Sequence, residues 1–231
     1  MDIDSWLKEY KKICKELAIL PKLDYEARDF AAVIMADRKQ PLAKLEQLVR
    51  GRDVVIFGAG PSLDAGVAKL KTQDRKQRTI IAADGATSCL LENGIYPDIV
   101  VTDLDGAVRD LLLADRFGAV MVVHAHGDNI LQIKALLPQF RNAVATTQVE
   151  PLPDVHNFFG FTDGDRAVFL AKRFGAKKID LIGFDFGDVV GKYSKPGEPY
   201  DHKADERKAK KLAIAERLVN EALEEVPNNV I

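Results

Sequence analysis

Apolar residues at the start of the chain recur three and four positions apart. Trp6, Leu7, Tyr10, Ile13, Cys14 and Leu17 stand at this spacing between charged residues, which predicts an amphipathic helix with one stripe to bury. Pro21 stops that helix, Asp24 is placed to cap a second one reaching about Met35, and Pro41 opens a third that ends before Gly51. At Asp53 the pattern changes. Short β-branched runs alternate with helical segments from there on, the signature of βαβ units and a parallel sheet covered on both faces. Strands are predicted near residues 54–57, 79–83, 98–102, 119–124, 143–147 and 178–183, with 157–161 as a further short extended piece. The stretch GDVVGKYSKPGEPYD, rich in Gly, Pro and Lys, predicts a mobile loop before a long charged helix from about Lys203 to Leu223. The expected architecture is α/β: an open, mostly parallel, doubly wound Rossmann-like sheet with an N-terminal helical subdomain. Residues 1–50 form the helical segment and 51–231 the α/β domain that carries the site.

Composition narrows the classes. A chain of 231 residues with 47% hydrophobic content supports one substantial core. The net charge of -2 arises from 33 basic and 35 acidic residues spread along the chain, with no footprint for nucleic acid. Cys14 and Cys89 are far apart and lack neighbours at metal-ligand spacing, so neither zinc nor a disulfide framework is expected and a reducing cytoplasm fits. The first residues contain no apolar run of signal-peptide or membrane-spanning length. A homodimer through the N-terminal stripe and burial of that stripe within one copy are both compatible with the pattern.

The unusual polar residues fall where the predicted strands end. In an open parallel sheet, ligands bind outside the carboxyl ends of the strands, so these groups are expected to converge on one edge. Gly58-Ala59-Gly60-Pro61-Ser62 makes a turn without side-chain bulk, at which backbone N–H groups approach a phosphate and Ser62 adds a donor. Leu63 replaces the third glycine of a dinucleotide fingerprint and no Gly-Lys-Ser/Thr follows, which disfavours dehydrogenases and Walker-type ATPases. Asp103 and Asp105 in TDLDG bring two carboxylates together if the chain turns at Gly106 or if the strand stays regular. Such a pair repels itself unless a proton or metal intervenes, and hard oxygen ligands suit magnesium on phosphates; a helix cap is the alternative. Asp84-Gly85 after the second strand reaches a ribose or a metal, or caps the next helix. His124, His126 and Asp128 end the fourth strand, and Thr162, Asp163, Asp165 and Arg166 precede a helix that they also cap. Asp185 follows a nearly continuous apolar strand and needs solvent or a cation. Lys192 and Lys195 in the loop are placed to close over phosphates.

With these motifs, the chain beyond residue 50 resembles the archaeal-type 6-hydroxymethyl-7,8-dihydropterin diphosphokinase family. The resemblance is carried by FGAGPSLD, ADGATSCLLENGIYPDIVVTDLDG, VHAHGDN and FTDGDRAVFLAKRFGAKKIDLIGFDFG. The second block is also similar to a segment of thiamin diphosphokinases. It departs from that segment at Thr102, where the motif has glycine, and at Gly106, where it has serine, and it lacks the later Gly-Gly-Arg. The resemblance implies transfer of the β,γ-diphosphate of ATP to a pterin alcohol, releasing AMP, in pterin cofactor biosynthesis of the folate or tetrahydromethanopterin type. By the same resemblance Asp103 and Asp105 match the metal-binding acids, and Asp84 and Gly85 match their upstream partner. Magnesium is expected on Asp103 and Asp105 with Asp84 or Asp185 completing the site, and Asp128 or Asp165 is the expected base. Gly58, Gly60, Pro61, Ser62, Asp84, Gly85, His126, Thr162 and Lys192 are the expected nucleotide and phosphate contacts. The alternatives are a thiamin-type enzyme, a sialyltransferase-like enzyme using a nucleotide sugar, and a nucleotide sensor without turnover.

Overall fold

The computed structural model describes residues 1–70, 78–224 and 228–230. Three helices come first: α1 (Ile3–Leu17), α2 (Pro21–Met35) and α3 (Leu42–Val49). Strands and helices then alternate as β1 (Asp53–Phe57), α4 (Leu63–Leu70), β2 (Arg78–Ala83), α5 (Ala86–Glu92), β3 (Ile99–Thr102), α6 (Val108–Arg116), β4 (Val120–Ala125), α7 (Ile130–Leu136) and β5 (Ala143–Thr147). Next come α8 (Asp163–Arg173), β6 (Lys178–Ile182), a ribbon of β7 (Val189–Val190) and β8 (His202–Lys203), α9 (Glu206–Leu223) and β9 (Asn228–Val230).

Among the described residues seven strands form one parallel sheet in the order β5-β4-β3-β2-β1-β6-β9. The chain steps outward from β1 to β5, and β6 returns to the other side of β1. Loops leaving β1 and β6 therefore part at the sheet's switch point, where open α/β sheets hold ligands. Alternate residues of each strand feed opposite faces, as the period of two requires. Val54 and Ile56 join α1, α3, α8 and α9 on one face, whereas Val55 and Phe57 join α2, α4, α5, α6 and α7 on the other. The helical preface is thus built into both layers. The α1 stripe of Trp6, Tyr10, Ile13, Cys14 and Leu17 is buried against the sheet, so covering it needs no second copy of the chain.

Each of the six principal predicted strands appears within one residue of its expected bounds. Residues 157–161 are not a strand; the neighbouring segment makes only isolated bridges, Thr146 with His156 and Leu152 with Val155. Pro21 opens α2 at a first-turn position where its missing N–H leaves no gap, and Asp24 lies one turn in rather than at the cap. Asp24 is instead a buried tie: it accepts from the Tyr10 hydroxyl, from Gly127 N at 2.7 Å and from Gln148 Nε2 at 3.0 Å. Part of the expected mobile loop is the β7–β8 ribbon, and α9 begins at Glu206 behind an Asp205 cap. Among the described residues no helix is long and apolar enough to cross a membrane.

Candidate active site

A cleft of about 660 Å³ opens at the carboxyl edge of the sheet, within the size range of small-molecule sites. Gly58 and Gly60 after β1, Asp84 and Gly85 after β2, Asp103 and Asp105 after β3, His124 near the end of β4, His126, Gly127 and Asp128 after it, and Asp185 after β6 all line it. Residues Thr162 to Arg166 at the start of α8 form another part of its wall, and α9 contributes Arg207, Lys208 and Lys211.

Three of these side chains form a cluster. Carboxylate oxygens of Asp84, Asp103 and Asp105 all lie within 4.8 Å of one another. Two left-handed residues bring them there: Asp84 at φ 36° and Leu104 at φ 72°, a conformation that non-glycine residues rarely adopt. Leu104, not Gly106, carries the turn after β3; its side chain drops into the core while its two acidic neighbours stay at the edge. Gly106 serves differently. A Cβ there meets Asp84 Oδ2 at 2.5 Å, so the position must be empty for that carboxylate to fit.

Thr102 fixes the buried Asp84 from below. Its hydroxyl donates to Asp84 Oδ1 and accepts from Leu104 N at 2.8 Å, while Asp84 N donates to Val101 O at 2.8 Å. Burial, followed by the charge of Asp103, raises the Asp84 carboxyl well above its ordinary range. Burial also works against charge on Asp103, but the His126 ring, the Asp105 N–H and the Arg166 charge together hold this carboxyl below its usual value. His126 Nδ1 accepts from Asp128 N at 3.3 Å, which leaves Nε2–H to face Asp103 Oδ2 at 3.3 Å. Asn129 brackets the same loop, donating to Asp103 O at 2.6 Å and His124 O at 2.7 Å. Neither Thr102 nor Asn129 stood out as functional in the sequence. The His-x-x-Asn spacing of a capping box was the available signal for Asn129.

Asp185 lies outside the three-acid cluster. Its Oδ2 accepts from Ser62 N at 3.0 Å and Ser62 Oγ at 2.8 Å, so it closes the glycine turn at the head of α4. Thr162 and Asp165 form the capping box of α8: Asp165 Oδ1 accepts from Phe161 N at 2.6 Å and Thr162 N at 2.9 Å. Burial pushes the Asp165 carboxyl up to about 6. Asp163, at the start of α8, is raised well above its ordinary range by burial and by the charges of Asp103 and Asp84. Arg166 is buried beneath, donating to Phe161 O at 2.8 Å. His124 is neutral, its pKa driven well down by burial and by the charges of Arg166 and His126, and its Nε2 has no protein partner. Asp128 is exposed on the cleft wall. Lys192 does not line this cleft; its ammonium pairs with Asp64 at 2.8 Å. Lys195 does, with Nζ 3.4 Å from Asp105 Oδ2. Pro61 continues the glycine turn without being part of the cleft lining.

Residues 31–191 match the family described as 6-hydroxymethylpterin diphosphokinase MptE-like. This chain belongs to that family. The matched span contains the three acids, the glycine turn and the α8 cap, and stops before α9. Three relatives carry the name 6-hydroxymethyl-7,8-dihydropterin pyrophosphokinase. The protein from Pyrococcus furiosus is 48% identical over 95% of this chain and 93% of its own length. Those from Methanothermobacter thermautotrophicus and Methanocaldococcus jannaschii are each 42% identical over 95% of this chain and 94% and 95% of theirs. Among solved structures, the Maf glycosyltransferase of Magnetospirillum magneticum superposes with a TM-score of 0.52 at 18% identity. The match covers 88% of this chain but 36% of that one, and it shows a shared fold alone. Relatives in the family therefore agree with the α/β diphosphokinase resemblance over nearly the full length.

Proposed function

We propose that this protein transfers the β,γ-diphosphate of ATP to 6-hydroxymethyl-7,8-dihydropterin, yielding the pterin diphosphate and AMP. The observation that carries the reading is the Asp84–Asp103–Asp105 cluster in the cleft of a chain whose relatives bear that enzyme name. The donor set fits magnesium: three hard carboxylates converge, and Asp84 Oδ2 is buried with no hydrogen-bond donor of its own. Asp103 and Asp105 would hold the ion with Asp84 completing the site. When bound, magnesium supplies charge neutralisation and alignment of the polyphosphate.

The rest of the chemistry falls to the chain's own groups. The pterin hydroxymethyl oxygen attacks the β-phosphorus; its new O–P bond forms as the bond from β-phosphorus to the AMP oxygen breaks, and the alcohol proton leaves to an acceptor. Asp165 is committed to capping α8, so the exposed Asp128 is our choice of acceptor. Thr102 and His126 orient the acids, and Phe161, Phe184, Phe186 and the neutral His124 offer a flat heteroaromatic ring apolar faces and a hydrogen-bonding edge. A cytoplasmic setting belongs to the same proposal and rests on two buried, unpaired cysteines.

The test is incubation with magnesium, ATP and the pterin, with thiamin and a no-acceptor control in parallel, resolved by chromatography and mass spectrometry. Pterin-dependent AMP and pterin diphosphate are expected. Thiamin-dependent AMP, or ADP in place of AMP, would overturn the reading.

A further inference from the structure

The glycine turn has its best donors engaged: Ser62 N–H and hydroxyl both go to Asp185. A polyphosphate in the cleft needs cations from elsewhere, and the wall facing the acids supplies them. Lys195 comes from a pinned segment. Tyr193 donates its hydroxyl to Glu92 at 2.6 Å, Lys192 pairs with Asp64, and Lys192 N donates to Asp201 Oδ1 at 2.9 Å. The backbone beneath is in close contact too. A Cβ on Gly85 falls 1.8 Å from Tyr193 O, and one on Gly191 falls 2.3 Å from Ala59 O. Lys208 reaches the same segment from α9, donating to Ser194 Oγ at 3.2 Å. Its ammonium is held below the usual lysine range by burial and by Lys211 and Lys195, with Asp105 and Asp163 opposing, so these cations are near neighbours at the acidic cluster.

We infer that Lys195, backed by Lys208 and Lys211, is the polyphosphate clamp of this enzyme, and that Lys195 and the metal compete for Asp105. The clamp rests on the proposal that ATP with magnesium is the donor. An ammonium 3.4 Å from a carboxylate oxygen neutralises the charge a divalent cation also seeks. An arriving polyphosphate offers that ammonium a new partner and frees the carboxylate for the ion. Lys192, by contrast, anchors the segment.

Isothermal titration of the full-length protein tests this with three probes: Mn²⁺ alone, inorganic tripolyphosphate with magnesium, and α,β-methylene ATP with magnesium, which is blocked at the bond that breaks. The Lys195 side chain is 66% exposed, so Lys195→Gln leaves the core untouched. In that variant both polyphosphate probes should bind about tenfold more weakly, the scale of one lost charged hydrogen bond, while Mn²⁺ alone binds more tightly. Lys195→Arg should retain most of the polyphosphate affinity, and Lys208→Gln should weaken both polyphosphate probes in the same direction. A merely structural role for Lys195 lowers all three affinities together, and that result, or unchanged polyphosphate binding, overturns the clamp. Wild-type protein that takes up neither Mn²⁺ nor the analogue would sink the metal–ATP reading itself and the clamp with it.

Discussion

Replacing Gly106 by alanine probes the geometry of the acidic cluster without altering any charge. The added methyl lies 2.5 Å from Asp84 Oδ2 and 2.9 Å from both Oδ1 and Cγ, whereas ordinary contact begins at 3.4 Å. The carboxylate must therefore retreat by about 0.9 Å, the difference between 3.4 and 2.5 Å. It has little freedom to do so. Its Oδ1 is taken by the Thr102 hydroxyl, its backbone is tied to Val101, and its φ of 36° is already in a costly region. Overpacking of this kind costs about 1–3 kcal/mol of stability. A displacement near 1 Å at a reacting site costs on the order of 100-fold in rate. The expected outcome is a folded protein with a lowered denaturation midpoint and a turnover number reduced about 100-fold at saturating ATP, partly recovered at high magnesium. The assay is steady-state AMP release alongside a urea melt. Wild-type turnover and midpoint in Gly106→Ala would refute the placement of Asp84 against Gly106, and with it the three-acid site.

Thr102→Val removes the hydroxyl that serves Asp84 and Leu104, leaving a buried acceptor and donor without partners. Stability should fall by about 1–3 kcal/mol, with weaker Mn²⁺ binding by paramagnetic resonance; an unchanged melt would contradict the hydrogen bonds assigned to it. Asp165 gives a pH signature. Its folded pKa of about 6 lies above the ordinary 3.8, so the folded state holds the proton more tightly and this group's contribution is fully present below pH 3.8 and lost as pH rises through 6. Asp165→Asn keeps an acceptor for Phe161 N and Thr162 N but cannot ionise. Relative to wild type it should gain about 2 kcal/mol between pH 4 and pH 7, read from urea melts, and a pH-independent difference would count against the raised pKa.

The strands were legible because parallel strands covered on both faces are nearly continuous apolar runs, as Val120 to Val123 are before His124, and that leaves few ways to place their ends. Once the strands were placed, the switch-point rule put Asp84, Asp103, Asp105 and His126 on one edge, where they now lie. Local chemistry with two readings was not resolved by sequence. Asp24 looked like a helix cap and is a buried tie to Tyr10 and Gly127, because Pro21 had already started the helix. Asp185 looked like a metal ligand and Lys192 a phosphate contact; Asp185 lines the cleft but is engaged by Ser62, and Lys192, outside the lining, pairs with Asp64, through contacts more than a hundred residues apart in sequence. The turn after β3 falls on Leu104 rather than Gly106, since a glycine's missing side chain was needed against Asp84 more than its backbone freedom. Lys208 reaches the cleft only because α9 packs back over α8, a tertiary event with no local signature.

The central claim is that the three-acid cluster binds the metal that serves diphosphate transfer to a pterin. The most direct measurement follows Mn²⁺ binding by paramagnetic resonance and pterin-dependent AMP formation in the same preparations of wild type, Asp103→Asn and Asp105→Asn. The account predicts that both variants keep the wild-type far-ultraviolet dichroism and lose metal binding and AMP formation together. Full pterin-dependent AMP formation at low magnesium in either variant would contradict it.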